Sequence, residues 1–143
     1  MTKQTVLRWG ILGAARVNER LMPAIVEAEN AQLVAIASRR PGAAAEVLAK
    51  YVPNEKGVEA FDDLDSVLNH AEIDAIYLPM ANEEHTEWAI KAIKQGKHVL
   101  IEKPMALSVD DIDAIAAAAA QYNVTVMEGF MYCFHPQHDF VAE

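Results

Sequence analysis

Four short segments carry residue types suited to chemistry, and each follows an apolar run. The first is Gly10-Ile11-Leu12-Gly13-Ala14-Ala15-Arg16-Val17-Asn18. A glycine turn between a strand and a helix leaves backbone N–H groups unpaired at the helix start, where they can bind a phosphate. A dinucleotide loop asks for a tight turn, then a small residue where backbone meets pyrophosphate, then another where helix packs on strand. Gly13 meets the first demand. Ala15 meets the second with a methyl that moves the ligand outward, and Asn18 is larger than the third position usually takes. Glycine also closes many plain strand–helix turns. The candidate phosphate ligands are Gly13, Ala14, Ala15, Arg16 and Val17.

The second segment is Ser38-Arg39-Arg40. In a site for NAD an acidic residue ends this strand and binds the ribose 2′-hydroxyl. A carboxylate there would repel a 2′-phosphate. Ser38 removes that charge and offers a hydroxyl, while Arg39 and Arg40 bring planar donors that match phosphate oxygens and can stack on adenine. The pattern predicts NADP in preference to NAD; the bland alternative is two solvated arginines at a helix start. Pro41 follows and limits the direction in which the arginines emerge.

The third segment, Leu78-Pro79-Met80-Ala81-Asn82-Glu83-Glu84-His85, is expected beyond the carboxyl end of a strand, where open α/β sheets bind ligands. That places Pro79 near the cofactor and Asn82 near its ribose, with Asn82 capping a helix that runs to Lys94 and stops at Gly96. His85 lies one turn on; a lone histidine more often packs than reacts. The fourth segment is Glu102-Lys103-Pro104. A lysine at a strand tip can hydrogen-bond a substrate oxygen and stabilise the alkoxide of a hydride transfer. Without context such a tripeptide is a surface turn. About 5% of X–Pro bonds are cis, so the sequence alone does not fix the Lys103–Pro104 isomer.

These segments need a sheet to hold them. The apolar runs Val6–Leu12, Gln32–Ala37, Ile73–Pro79, His98–Ile101 and Val124–Met127 are strand-length and mostly continuous, as in strands buried on both faces. Val17, Leu21, Ile25 and Ala28 share one helix face. Pro41 suits the first turn of a second helix, and Pro53, Asn54 and Gly57 mark a loop. Asp62–Asn69 reads as a short helix with an acidic start. Ser108 can cap a helix that contains five consecutive alanines, Ala116–Ala120. Alternating strands and helices give an α/β doubly wound fold with a mostly parallel sheet.

Composition narrows the partners. The chain has 143 residues, 52% hydrophobic and 23% charged, which suits one domain. The net charge of -9 disfavours nucleic acid. No run reaches the ~20 apolar residues of a membrane span. The start at Met1-Thr2-Lys3-Gln4 does not read as a secretory leader, so a cytoplasmic location is expected. The single cysteine, Cys133, permits no internal disulfide and no Cys-rich zinc site, so no metal is expected; the thiol reads as free and half-buried.

With those residues in view, the chain resembles the glucose–fructose oxidoreductase / inositol dehydrogenase (Gfo/Idh/MocA) family over nearly its whole length. The resemblance rests on five segments in order: Arg8–Arg16, Ala37–Arg39, Asn82–His85, Gly96–Pro104, and Glu128–Tyr132 with Phe134–His138. It leans toward the NADP-dependent branch of xylose and dihydrodiol dehydrogenases. The resemblance implies Lys103 as the catalytic lysine, a cis bond to Pro104, Ser38 and Arg39 at the 2′-phosphate, and His85 and Glu102 in the cofactor pocket. It also implies a small-molecule alcohol or sugar as substrate. Cys133 stands where this branch commonly has arginine. The family's second, substrate-binding domain is absent from these 143 residues. Residues 1–127 read as the dinucleotide-binding domain and 128–143 as the start of an interdomain segment. That tail holds Phe130, Met131, Tyr132, Phe134 and Phe140, which need a surface to pack against, so a homo-oligomer is expected.

Overall fold

The computed structural model describes residues 5–142, with the strands close to where continuous apolarity places them. Residues 1–4, on which the reading against a leader rests, and residue 143 lie outside that range. The chain runs β1 (Leu7–Leu12), α1 (Asn18–Glu27), β2 (Ala31–Ala37), α2 (Ala43–Tyr51), β3 (Glu59–Phe61), α3 (Leu64–Leu68) and β4 (Ala75–Leu78). A 3-10 turn at Asn82–Glu84 leads into α4 (His85–Lys94), β5 (His98–Ile101), α5 (Val109–Tyr122) and β6 (Val126–Glu128). A second 3-10 turn, Met131–Phe134, precedes α6 (Pro136–Ala142). All strand pairs are parallel, in the order β3-β2-β1-β4-β5-β6. The fold is the expected doubly wound Rossmann sheet, and its order reverses between β1 and β4.

Two apolar layers sandwich the sheet. Met22 and Ile25 of α1 and Ala44 of α2 pack with Ile11, Leu33, Ile36 and Tyr77 on one face. Helices α3, α4 and α5 cover the other through Val67, Leu68, Ala89, Ile93 and Ile115, against Leu12, Ile76, Leu78, Val99 and Ile101. Removing side chains of this size from water contributes roughly 1.5–3 kcal/mol each. Gly10 lets α3 approach β1: a Cβ there would lie 2.6 Å from Ile73 Cδ1 and 2.7 Å from Val67 Cγ1. The β1–β2 register shifts between Trp9 and Gly10, leaving Val34 as the extra residue of a bulge in β2.

Several local expectations need correction. β3, Glu59-Ala60-Phe61, carries no apolar run because it is an edge strand with two exposed residues. Pro41 stands before α2, which begins at Ala43 behind a left-handed Gly42. Asn82 does not cap α4; it opens the 3-10 turn, and no side chain caps either element. Cys133 is exposed rather than half-buried. The Ser108 cap does form, its Oγ accepting from the Asp111 N–H at 3.1 Å. Beyond β6 the tail stacks on itself, with the Phe130 and Tyr132 ring centroids 5.5 Å apart. It leaves Met131 64%, Phe134 71% and Phe140 80% exposed. Among the described residues, no helix is long and apolar enough to cross a membrane.

Candidate functional site

At the carboxyl ends of β1, β2 and β4 lies a cleft of about 300 Å³. Its floor is the turn after β1. The Gly13 N–H donates to Ala37 O at 2.9 Å, fastening that turn to the end of β2. Gly13 has φ +132, a conformation that L side chains rarely adopt, so the turn itself requires glycine. The N–H groups of Ala14, Ala15, Arg16 and Val17 meet no acceptor among the described residues. These are the free donors a helix start offers to an anion.

Asn18 explains why a large residue stands where a small one is usual. It is fully buried, and its Nδ2 donates to Gly13 O at 2.8 Å, bracing the turn from behind. Its Oδ1 has no partner among the described residues.

The second wall comes from the tip of β2. Ser38 is buried, and its Oγ accepts from the Arg40 N–H at 3.2 Å, which leaves the hydroxyl proton free to donate. Arg39 reaches across the cleft to Glu84, whereas Arg40 turns toward α2 and meets Glu46 at 3.3 Å. No carboxylate ends β2. The third wall is Pro79, Met80, Ala81 and Glu84 after β4. The cleft thus gathers Gly13, Ala14, Ala15, Ser38, Arg39, Arg40 and Pro79 from the sequence-derived set. Arg16 lines an adjoining hollow with Arg40 and Lys50, and Val17 packs into the α1 layer.

His85, Glu102 and Lys103 do not line this cleft. His85 has no exposed surface; its Nδ1 lies 2.9 Å from Pro104 O and its Nε2 3.1 Å from Met80 O. Both neighbours are carbonyl oxygens, which only accept, so each contact is a hydrogen bond only when the ring nitrogen facing it carries a proton. The buried ring lies between Met80 in the loop after β4 and Pro104 in the turn after β5. Asn82 is exposed in the loop after β4.

Glu102 ends β5. Its Oε1 accepts from the Tyr77 hydroxyl at 2.7 Å, and its Oε2 lies 3.3 Å from the Lys103 N–H. Burial, reinforced by the hydrogen bond to Glu102, pushes the Tyr77 phenol far above its usual range, so it stays a donor. Gly129 passes close by: a Cβ there would lie 3.3 Å from Ile101 O and 3.5 Å from Glu102 Oε1. The Lys103–Pro104 bond is cis, and the Lys103 side chain is exposed with no acceptor among the described residues. Sequence reasoning missed Tyr77 and Glu84. Both look ordinary in sequence, and only the strand order brings them to their partners.

The residues fit a phosphorylated dinucleotide: free N–H donors at the floor, a hydroxyl and a guanidinium at one wall, and β5 presenting a carboxylate and an ammonium. The comparisons agree. The D-xylose 1-dehydrogenase (NADP(+)) 2 of Haloferax volcanii is 36% identical over 138 residues, 96% of this chain and 41% of that protein. The scyllo-inositol 2-dehydrogenase (NADP(+)) IolU of Bacillus subtilis is 31% identical over 92% of this chain and 39% of its own length. KijD10, a 3-ketoreductase from Actinomadura kijaniata solved with TDP-benzene and NADP, superposes with a TM-score of 0.89 at 32% identity. That match covers 96% of this chain and 41% of KijD10. The chain therefore spans about two fifths of the length of these relatives. The profile of the oxidoreductase family with an NAD-binding Rossmann fold matches residues 7–130, and the chain belongs to that family, Gfo/Idh/MocA.

Proposed function

We propose that this chain is the nucleotide-binding domain of an NADP-dependent oxidoreductase acting on the CH–OH groups of sugars or cyclic alcohols. The observation that carries the reading is the β2 tip: a buried Ser38 and the Arg39 guanidinium line one cleft, with no carboxylate ending the strand. The sugar-directed relatives support the substrate class. In this reading Ala14 to Val17 hold the pyrophosphate through backbone N–H groups, and Ser38 and Arg39 hold the 2′-phosphate. When bound, the nicotinamide accepts or supplies the hydride. Lys103 holds the proton at Nζ for the reacting oxygen, and Tyr77 fixes the carboxylate of Glu102 beside it. Residues 1–127 form the dinucleotide domain, and 128–143 begin the passage to a substrate domain.

Calorimetry with NADPH and NADH tests the cofactor assignment. We expect NADPH to bind at least about tenfold more tightly, since hydrogen bonds to a charged phosphate contribute roughly 1.5–3 kcal/mol. Equal affinity would defeat it. NADPH oxidation with a panel of sugars and diketones separates an active domain from a catalytically silent NADP-binding module, which binds without oxidising. A second reading, self-association, is favoured by the exposed Met131, Phe134 and Phe140. Light scattering showing a monomer at high concentration would defeat it.

A further inference from the structure

The Arg39 side chain is long and 60% exposed, yet it is held. Its Nη2 lies 2.6 Å from Glu84 Oε1 and 2.8 Å from Oε2, so a single guanidinium nitrogen takes both carboxylate oxygens. Its Nε and Nη1 have no partner among the described residues. The two residues come from different walls of the cleft: Arg39 follows β2, Glu84 precedes α4, and β1 lies between β2 and β4 in the sheet. The ion pair therefore spans the cleft from one side of β1 to the other.

We propose that Glu84 is the positioning residue for Arg39 and a determinant of selectivity for 2′-phosphorylated adenosine. This rests on the reading of the cleft as a dinucleotide site. A guanidinium presents five donors in a rigid plane. Glu84 occupies Nη2, the nitrogen common to both bidentate edges of that plane, and leaves Nε–H and the Nη1 hydrogens as separate charge-assisted donors to phosphate oxygens. Without the carboxylate the side chain samples its rotamers in water, and that freedom must be surrendered when phosphate binds. Glu84 also carries a negative charge near the dianion. The guanidinium lies between the two anions, and solvent at an exposed arginine weakens their repulsion.

The test is a mutant cycle read by binding of NADPH, NADH and 2′,5′-ADP, the last reporting the 2′-phosphate without the nicotinamide. Glu84→Gln keeps the shape and removes the charge. We expect it to lower affinity for NADPH and 2′,5′-ADP about two- to fivefold, as an exposed ion pair allows, with NADH unchanged. In an Arg39→Ala background the same substitution is expected to do nothing further. Tighter NADPH binding in E84Q would make Glu84 a competitor for Arg39 and overturn the proposal. So would an unchanged NADPH-to-NADH ratio, a parallel loss for both coenzymes, or an E84Q effect that persists without Arg39. Wild-type protein that binds NADPH and NADH equally defeats the cofactor reading first, and this inference with it.

Discussion

The Tyr77 hydroxyl donates to Glu102 Oε1 at 2.7 Å, joining a phenol from the middle of the sheet to the carboxylate at the tip of the neighbouring strand. Tyr77 is 1% exposed, so its ring packs in the α1–α2 layer while its oxygen reaches the tip of β5. Tyr77→Phe keeps the ring and deletes the donor. Bonds to charged groups contribute about 1.5–3 kcal/mol, and a half-buried acceptor that can recruit water puts the loss near the lower figure. Urea unfolding should show a lower midpoint with an unchanged slope. An unchanged midpoint would mean that the bond contributes nothing to folding.

Gly10 predicts a clash of known identity. Ala at this position would press on Val67 Cγ1 and Ile73 Cδ1, both ends of side chains. Overpacking of this kind costs about 1–3 kcal/mol. Val67→Ala should make room, so the double variant G10A/V67A is expected to be more stable than the sum of the single losses allows. Strict additivity would place the strain elsewhere.

The β1–β4 junction supplies a pH dependence. Arg8 donates from Nε to Asp74 Oδ2 at 2.8 Å and from Nη2 to Oδ1 at 2.7 Å. The hydrogen bond from the Arg8 side chain holds the Asp74 carboxyl below the usual carboxylate range, against an opposing push from burial. A carboxyl depressed in the folded state contributes stability that is present above its unfolded pKa, about 3.9. That contribution fades as pH falls through the folded value. The stability difference between wild type and Asp74→Asn should thus be constant from about pH 5 to 8 and shrink below about pH 4. Asp63, depressed by its bonds from Ser66, titrates in the same window but is common to both proteins and cancels. Denaturation midpoints across pH read the difference directly, and a gap that persists undiminished at pH 3 defeats the linkage.

Most of the frame was legible because strands buried on both faces read as apolar runs; β1, β2, β4 and β5 do so, with Arg8, Gln32 and His98 as polar residues near the starts of three of them. β3 was illegible for the complementary reason: an exposed three-residue edge strand has no buried face to mark it. Gly13, Ser38 and Arg39 could be placed by position relative to strand ends, since backbone direction at a strand tip is local information. Glu84 and Tyr77 could not. Their partners lie 45 and 25 residues away, and the pairings exist only once the strand order is known. Asn82 misled because a residue suited to capping sits at a 3-10 turn, where the backbone satisfies itself: the Glu84 N–H donates to Ala81 O at 2.9 Å.

His85 separates a brace from a ligand. Its ring faces Met80 O at 3.1 Å and Pro104 O at 2.9 Å and has no exposed surface. His85→Ala removes the ring and leaves those carbonyls to find water in a buried space. The expected cost is about 2–4 kcal/mol, the sum of a lost hydrogen bond and a cavity. Binding should respond differently. If the ring acts only by holding the loops after β4 and β5, then below the melting range the folded variant should keep NADPH affinity within about threefold of wild type, because remote loosening costs less than a lost contact. His85→Gln, which can still donate to one carbonyl, should recover part of the stability. The opposite pattern, with melting unchanged and NADPH affinity reduced tenfold or more, would require the imidazole to leave its buried seat and touch the coenzyme.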